Sequence, residues 1–135
     1  MNRKIFSAAI VTLLTDQISK VLISMFLEIN EQVVVLKNFF SFYFIENYGA
    51  AWSAFSGKLN LLIIASVIAL IIIYRYMYNF KKNIRNNLAF GFIIGGIFGN
   101  LIDRIFLGYV RDFLSFNIFG YKYPVFNFAD TFIVI

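Results

Sequence analysis

From Leu61 to Tyr74 the chain reads Leu-Leu-Ile-Ile-Ala-Ser-Val-Ile-Ala-Leu-Ile-Ile-Ile-Tyr, without one charged residue. With its flanks this makes an apolar stretch from Leu59 to Tyr78, and about 20 such residues cross the core of a bilayer as a helix. The rest of the chain agrees. Of its 135 residues 61% are hydrophobic and 14% charged, against about 45–50% and 25% in soluble domains. A soluble fold of this length cannot hide that much apolar surface, so lipid is the expected solvent. A second span is predicted over Ile5 to Leu27, with Asp16 and Lys20 near its middle. A cleaved signal peptide is the weaker reading there, because the apolar run stops at Leu14 and no A-x-A-like site follows. A third span covers Leu88 to Leu107 and turns polar at Asn100, Asp103 and Arg104. A fourth apolar run, from about Phe126 to Ile135, rises only about 15 Å as a helix, half a bilayer. The fourth span is therefore expected to be truncated in this chain, with the natural C-terminus beyond Ile135.

Between the first two spans, residues 28–58 include Val33 to Leu36 and Phe39 to Ile45, both rich in β-branched and aromatic residues, the composition of strands. Ala50 to Phe55 reads as a short interfacial helix with Trp52 and Phe55 at headgroup depth. After the third span, Tyr109 to Phe119 and Tyr121 to Phe126 read as extended, broken at Gly120 and Pro124. Charge sets the orientation. Arg3, Lys4, Arg75, Lys81, Lys82 and Arg85 lie at one end of the spans, which holds no acid. Lys37, Lys58, Arg104, Arg111 and Lys122 share the other end with Glu28, Glu31, Glu46, Asp103, Asp112 and Asp130. The positive-inside rule makes the N-terminus and the 79–87 loop cytoplasmic and puts both strand-rich segments outside. The net charge of +5 and pI near 9.6 thus record topology and give no reason to expect nucleic acid.

The sequence contains no histidine and no cysteine, which excludes disulfides, thiol nucleophiles, Ser-His-Asp triads and common zinc sites. No metal and no cofactor is expected. Chemistry must rest largely on a short list of acids. Asp16 and Lys20, four apart, share one helix face and read either as a salt bridge or as a proton or ion site. Gly91, Gly95 and Gly99 form a row of small residues that permits close helix packing. Asp112 and Asp130 should both lie near the outer surface. Two carboxylates together in a low-dielectric site share a proton and supply a general base and a general acid; ordinary interfacial acids are the other reading of the same two residues.

In order along the chain stand Asp16-Gln17-Ile18-Ser19-Lys20, Asn47-Tyr48-Gly49-Ala50-Ala51-Trp52, Gly95-Gly96-Ile97-Phe98-Gly99-Asn100-Leu101-Ile102-Asp103-Arg104, Gly108-Tyr109-Val110-Arg111-Asp112-Phe113 and Phe126-Asn127-Phe128-Ala129-Asp130. Together these resemble the five signatures of the lipoprotein signal peptidases (signal peptidase II, peptidase family A8). The departures are Phe128, where aliphatic residues are usual, and the short fourth helix. The resemblance implies a single-domain, mainly α membrane protein with four transmembrane helices and a small extracytoplasmic β-cradle. It implies an aspartic endopeptidase of the bacterial cytoplasmic membrane that cuts diacylglyceryl-modified prolipoproteins before the lipidated cysteine. Asp112 and Asp130 would be the catalytic pair. Asp16, Lys20, Asn47, Gly49, Asn100, Asp103, Arg104 and Asn127 would bind substrate or support the site. Lipidated prolipoproteins, membrane lipids and globomycin-type inhibitors would be its partners, and a monomer is expected. Two readings compete from other classes: a small four-helix transporter using Asp16 as a proton or cation site, and a non-enzymatic assembly subunit packed through its glycine rows.

Overall fold

A computed structural model of the protein describes residues 2–49 and 54–135. Most of the chain is helical. Helix α1 runs Arg3–Phe26, α2 Leu59–Tyr76 with a 3-10 turn at Met77–Asn79, α3 Ile84–Phe106 and α4 Phe128–Val134. Strands β1 (Gln32–Leu36), β2 (Phe40–Asn47), β3 (Val110–Ile118) and β4 (Tyr121–Lys122) form one antiparallel sheet in the order β1-β2-β3-β4. Among the described residues, three helices are long and apolar enough to cross a membrane: Arg3–Phe26, Leu59–Asn79 and Ile84–Phe106. The fourth apolar run forms a helix of 7 residues, about 10 Å long.

The helix ends depart from the apolar stretches for a local reason. α3 starts at Ile84 rather than Leu88 because Asn83 caps it, its side chain accepting from the Asn86 N–H at 2.8 Å. A polar first turn of Arg85, Asn86 and Asn87 is invisible to a hydropathy reading but is well held by such a cap. In the same way Asn2 caps α1 through the Lys4 N–H. The segment Tyr121 to Phe126 is a strand only at Tyr121–Lys122, and it rejoins the sheet at Phe126, which bridges Leu114. Of the expected helix Ala50 to Phe55, residues 50–53 lie outside the described residues, and Ala54 to Gly57 form a turn.

α1 and α3 pack backbone to backbone. A Cβ at Gly91 would meet the Ala8 Cβ and the Ile5 carbonyl, and one at Gly95 would sit 2.7 Å from the Thr12 Cβ. At Gly99 it would run into the Asp16 carboxylate, while Gly96, on the neighbouring row, faces the Ala129 carbonyl and Ile133 of α4. The two glycine rows therefore seat two different helices on α3. In lipid, where apolar surface gains nothing by leaving its solvent, such close approach is what drives helix association. α2 has no buried residue; it lies against the α1–α3 pair through Leu70 and Ile73, which pack on Ile5, Ala9, Met77 and Ile94. The inner ends of β2 and β3 carry Asn47 and Asp112 to the top of the bundle, with Phe44, Val110, Phe113 and Leu114 buried beneath them.

Candidate active site

The site grows from α1. Asp16, Lys20 and Thr12 are 0% exposed, on the face of α1 that meets α3. An ion cannot remain there alone, since burying one unpaired costs several kcal/mol. The Lys20 ammonium lies 2.8 Å from Asp16 and 3.5 Å from Asp103, and donates to Asn100 Oδ1 at 2.9 Å. Asp16 spends its other oxygen on α4, accepting from the Ala129 N–H at 2.9 Å. This fixes α4 against α1, satisfying one of the amide donors that every helix start leaves open.

Two acids facing one lysine leave a carboxylate uncompensated, and Arg111 supplies the missing cation. Its guanidinium holds Asp103 at 2.7 and 3.1 Å, its backbone N–H adds a third bond at 3.0 Å, and its remaining reach goes to Gln17 Oε1 at 3.1 Å. Gln17 in turn donates to Asp16, to the Gly99 carbonyl and to Asp103. Neither Arg111 nor Gln17 stands out by spacing: Gln17 is next to Asp16, and sequence neighbours on a helix face different ways. The charge imbalance of Asp16, Asp103 and Lys20 was the available signal, because it demands a second buried cation.

Above this network Asp112 and Asp130 approach through two shared amides. Asn127 Nδ2 donates to Asp112 Oδ1 at 2.7 Å and to Asn100 Oδ1 at 3.0 Å, and Asn100 Nδ2 donates to Asp130 Oδ1 at 2.7 Å. Asn47 Nδ2 reaches the other oxygen of Asp112 at 2.8 Å. Asn127 also opens α4: its Oδ1 accepts from the Asp130 N–H at 3.0 Å, and Asp130 Oδ2 accepts from the Asn127 N–H at 3.3 Å, a reciprocal capping box. Asp112 is 1% exposed, while Asp130 is half-buried. Burial first, and the neighbouring Asp130 charge second, push the Asp112 carboxyl up to about 7, against the pull of its bonds from Asn47 and Asn127.

Arg104 faces the pair from the side. Its guanidinium feels the charges of Asp130 and Asp112, and donates to the Gly49 carbonyl at 3.2 Å, where the Gly49 N–H is tied to Asn47 Oδ1 at 2.9 Å. Arg104 Nε is buried without a hydrogen-bond partner among the described residues. Beside Asn100 and Arg104 a cleft of about 250 Å³ opens between Leu62 and Ala65 of α2, Ile97 of α3 and Ile133 of α4. All ten residues singled out from the sequence thus meet at the sheet end of the bundle, in one connected set of bonds. Among the described residues no cluster of His, Cys, Asp and Glu suited to a metal ion is present. The transporter reading loses its footing here, since both Asp16 oxygens are engaged by Lys20, Gln17 and the Ala129 amide.

The family described as signal peptidase (SPase) II matches residues 8–135. The lipoprotein signal peptidase of Staphylococcus haemolyticus (strain JCSC1435) is 38% identical over 128 residues, spanning 94% of this chain and 81% of that protein. The lipoprotein signal peptidase of Halothermothrix orenii is 35% identical over 131 residues, 97% of this chain and 88% of its own. Among solved structures, a bacterial membrane enzyme determined in meso at 2.3 Å resolution superposes with a TM-score of 0.87 at 32% identity, covering 96% of this chain and 80% of that one. A second bacterial membrane enzyme, at 1.9 Å, gives 0.83 at 32% identity, with 96% and 84% covered. By sequence along nearly its whole length and by fold, the chain belongs to the signal peptidase II family of membrane peptidases.

Proposed function

We propose that the protein is an aspartic endopeptidase that removes signal peptides from diacylglyceryl-modified prolipoproteins, cutting before the lipidated cysteine. The observation that carries this reading is the pair Asp112 and Asp130, joined through Asn127 and Asn100 with one acid buried and its carboxyl held up to about 7. Such a pair keeps one proton between two carboxylates near neutral pH. The ionised Asp130 takes a proton from a water held between the acids while the water oxygen attacks the scissile carbonyl carbon. Asp112 gives its proton to the carbonyl oxygen, producing a neutral gem-diol. Collapse then breaks the C–N bond: the ionised Asp112 takes back a hydroxyl proton, Asp130 delivers its own to the departing amine, and the starting charge state returns.

Asn47, Asn100 and Asn127 hold the acids in place in this scheme, Asp16, Lys20 and Asp103 fix the helices beneath them, and Arg104 with the Gly49 carbonyl flanks the peptide. The apolar cleft beside Asn100 and Arg104 suits an acyl chain of the lipidated substrate, and a globomycin-type peptide would compete for the same surface. We place the chain in the bacterial cytoplasmic membrane as one domain, with the N-terminus and the 79–87 loop inside. The sheet and the site lie at the outer face as the cradle over three full spans, with α4 packed against α1 and α3. It acts as a monomer with prolipoproteins and membrane lipids as partners. Cleavage of a lipidated prolipoprotein by the purified protein in detergent is the test. Asp112→Asn and Asp130→Asn should each lower the rate by about 10²–10⁴-fold or more. Turnover surviving in either variant removes that residue from the mechanism.

A further inference from the structure

At the end of the bundle opposite the acids, α1, α2 and α3 converge on a second cleft of about 360 Å³. Its rim carries Lys81 and Lys82, both exposed, with Tyr78 and Phe80 beside them. The floor is apolar, where Ile5 and Met77 are each 6% exposed. No acidic residue occurs in residues 1–15 or 74–102, so nothing at this end neutralises the lysines from within the chain. One wall is Asn87, on the same helix row as Gly91 and Gly95, one turn earlier. It is 7% exposed, and among the described residues its side-chain amide makes no hydrogen bond, although it lines the cleft. With no partner among the described residues and a place in the lining of a cationic cleft, this side chain is an available donor. Asn2 sits across the opening with its carbonyl oxygen committed to the Lys4 N–H. Its side-chain N–H groups make no hydrogen bond among the described residues. The loop that carries the lysines is fixed, because the Lys81 carbonyl accepts from the Asn83 N–H and from Asn86 Nδ2, each at 2.9 Å.

We infer that this cleft binds the phosphodiester headgroup of an anionic phospholipid, in the leaflet opposite the Asp112–Asp130 pair. The chemistry is that of a phosphate monoanion with an apolar tail. Lys81 and Lys82 supply charge, Asn87 and Asn2 supply neutral N–H donors, and Ile5 and Met77 take the first carbons of the glyceryl ester. Free phosphate would satisfy the polar half but leave the apolar floor unused. The position favours the lipid, since three membrane-crossing helices end around the cleft at headgroup depth, and basic clefts of this kind between helix ends suit anionic headgroups. A bound lipid would also tie α2, which buries no residue of its own, to the α1–α3 pair.

The test uses the full chain in a neutral detergent, titrated with phosphatidylglycerol, with Tm followed and bound lipid counted by native mass spectrometry. Phosphatidylglycerol should raise Tm and saturate at one lipid per chain, while phosphatidylcholine at the same mole fraction leaves it unchanged. Each lysine at an anionic lipid surface is worth roughly fivefold in affinity. The double change Lys81→Gln with Lys82→Gln should therefore raise the half-saturating lipid concentration by about 30-fold while leaving prolipoprotein cleavage in detergent intact. Asn87→Leu should abolish the saturable shift. Equal effects of the two lipids, an unchanged titration in the lysine variant, or full binding by Asn87→Leu would each overturn the site. Inorganic phosphate reproducing the Tm shift would overturn the lipid assignment. Should Asn87→Leu fold poorly, the lysine variant alone decides, since both its side chains are exposed.

Discussion

With its carboxyl buried and Asp130 beside it, Asp112 stays protonated until the pH reaches about 7. Folding raises this group above its ordinary value of 3.8, so its contribution to stability is complete below about pH 4 and is lost as pH rises through 7. The same proton is the one the proposed mechanism needs. The rate of prolipoprotein cleavage should therefore fall along an alkaline limb centred near pH 7, and a rate still climbing at pH 8 would contradict Asp112 as the acid. At Arg111 the expectation concerns folding. Arg111→Met strips the 0%-exposed Asp103 side chain of its bidentate partner, and breaking a buried pair costs about 3–5 kcal/mol. A large drop in Tm should follow, and an unchanged Tm would show that Lys20 suffices alone. The acids were legible in the sequence because a chain poor in charge displays each one, and the motif order ranked them. Arg111 and Gln17 were not, since their roles depend on which helix faces meet, and no spacing within one segment records that.

Among the elements, α3 carries most of the architecture. Gly95→Ala or Gly99→Ala puts a methyl into the Thr12 side chain or the Asp16 carboxylate. Overpacking of that kind costs about 1–3 kcal/mol, and at Gly99 it also shifts the Lys20 partner. Both variants should lower Tm in detergent, Gly99→Ala with the greater loss of cleavage. Thr12 is the counter-case. Its hydroxyl is buried with no hydrogen-bond partner among the described residues, so Thr12→Val, which keeps the shape and drops the polar atom, should hold or raise Tm. A clear fall in Tm would mean that the hydroxyl makes a stabilising hydrogen bond in the folded protein. The spans and strands were readable from apolar runs and β-branched clusters, because lipid and sheet each impose a simple pattern. The start of α3 was not, since a cap at Asn83 outweighs the polarity of the residues that follow it.

For the whole molecule, the predicted topology is open to direct measurement because the chain has no cysteine of its own. A single Lys82→Cys should react with a membrane-impermeant maleimide only from the cytoplasmic face, and a Lys122→Cys only from the outer face; the reverse pattern would invert the assigned orientation. Asn127 adds a consequence of a different kind. One side chain ends the loop before α4, starts that helix through the Asp130 N–H, and bridges Asp112 to Asn100. The acid pair therefore exists only when α4 has wound and docked on α1 and α3. Any state in which that short helix is unwound or undocked leaves the two acids apart. A change that loosens α4 should therefore silence cleavage before it unfolds the three long helices.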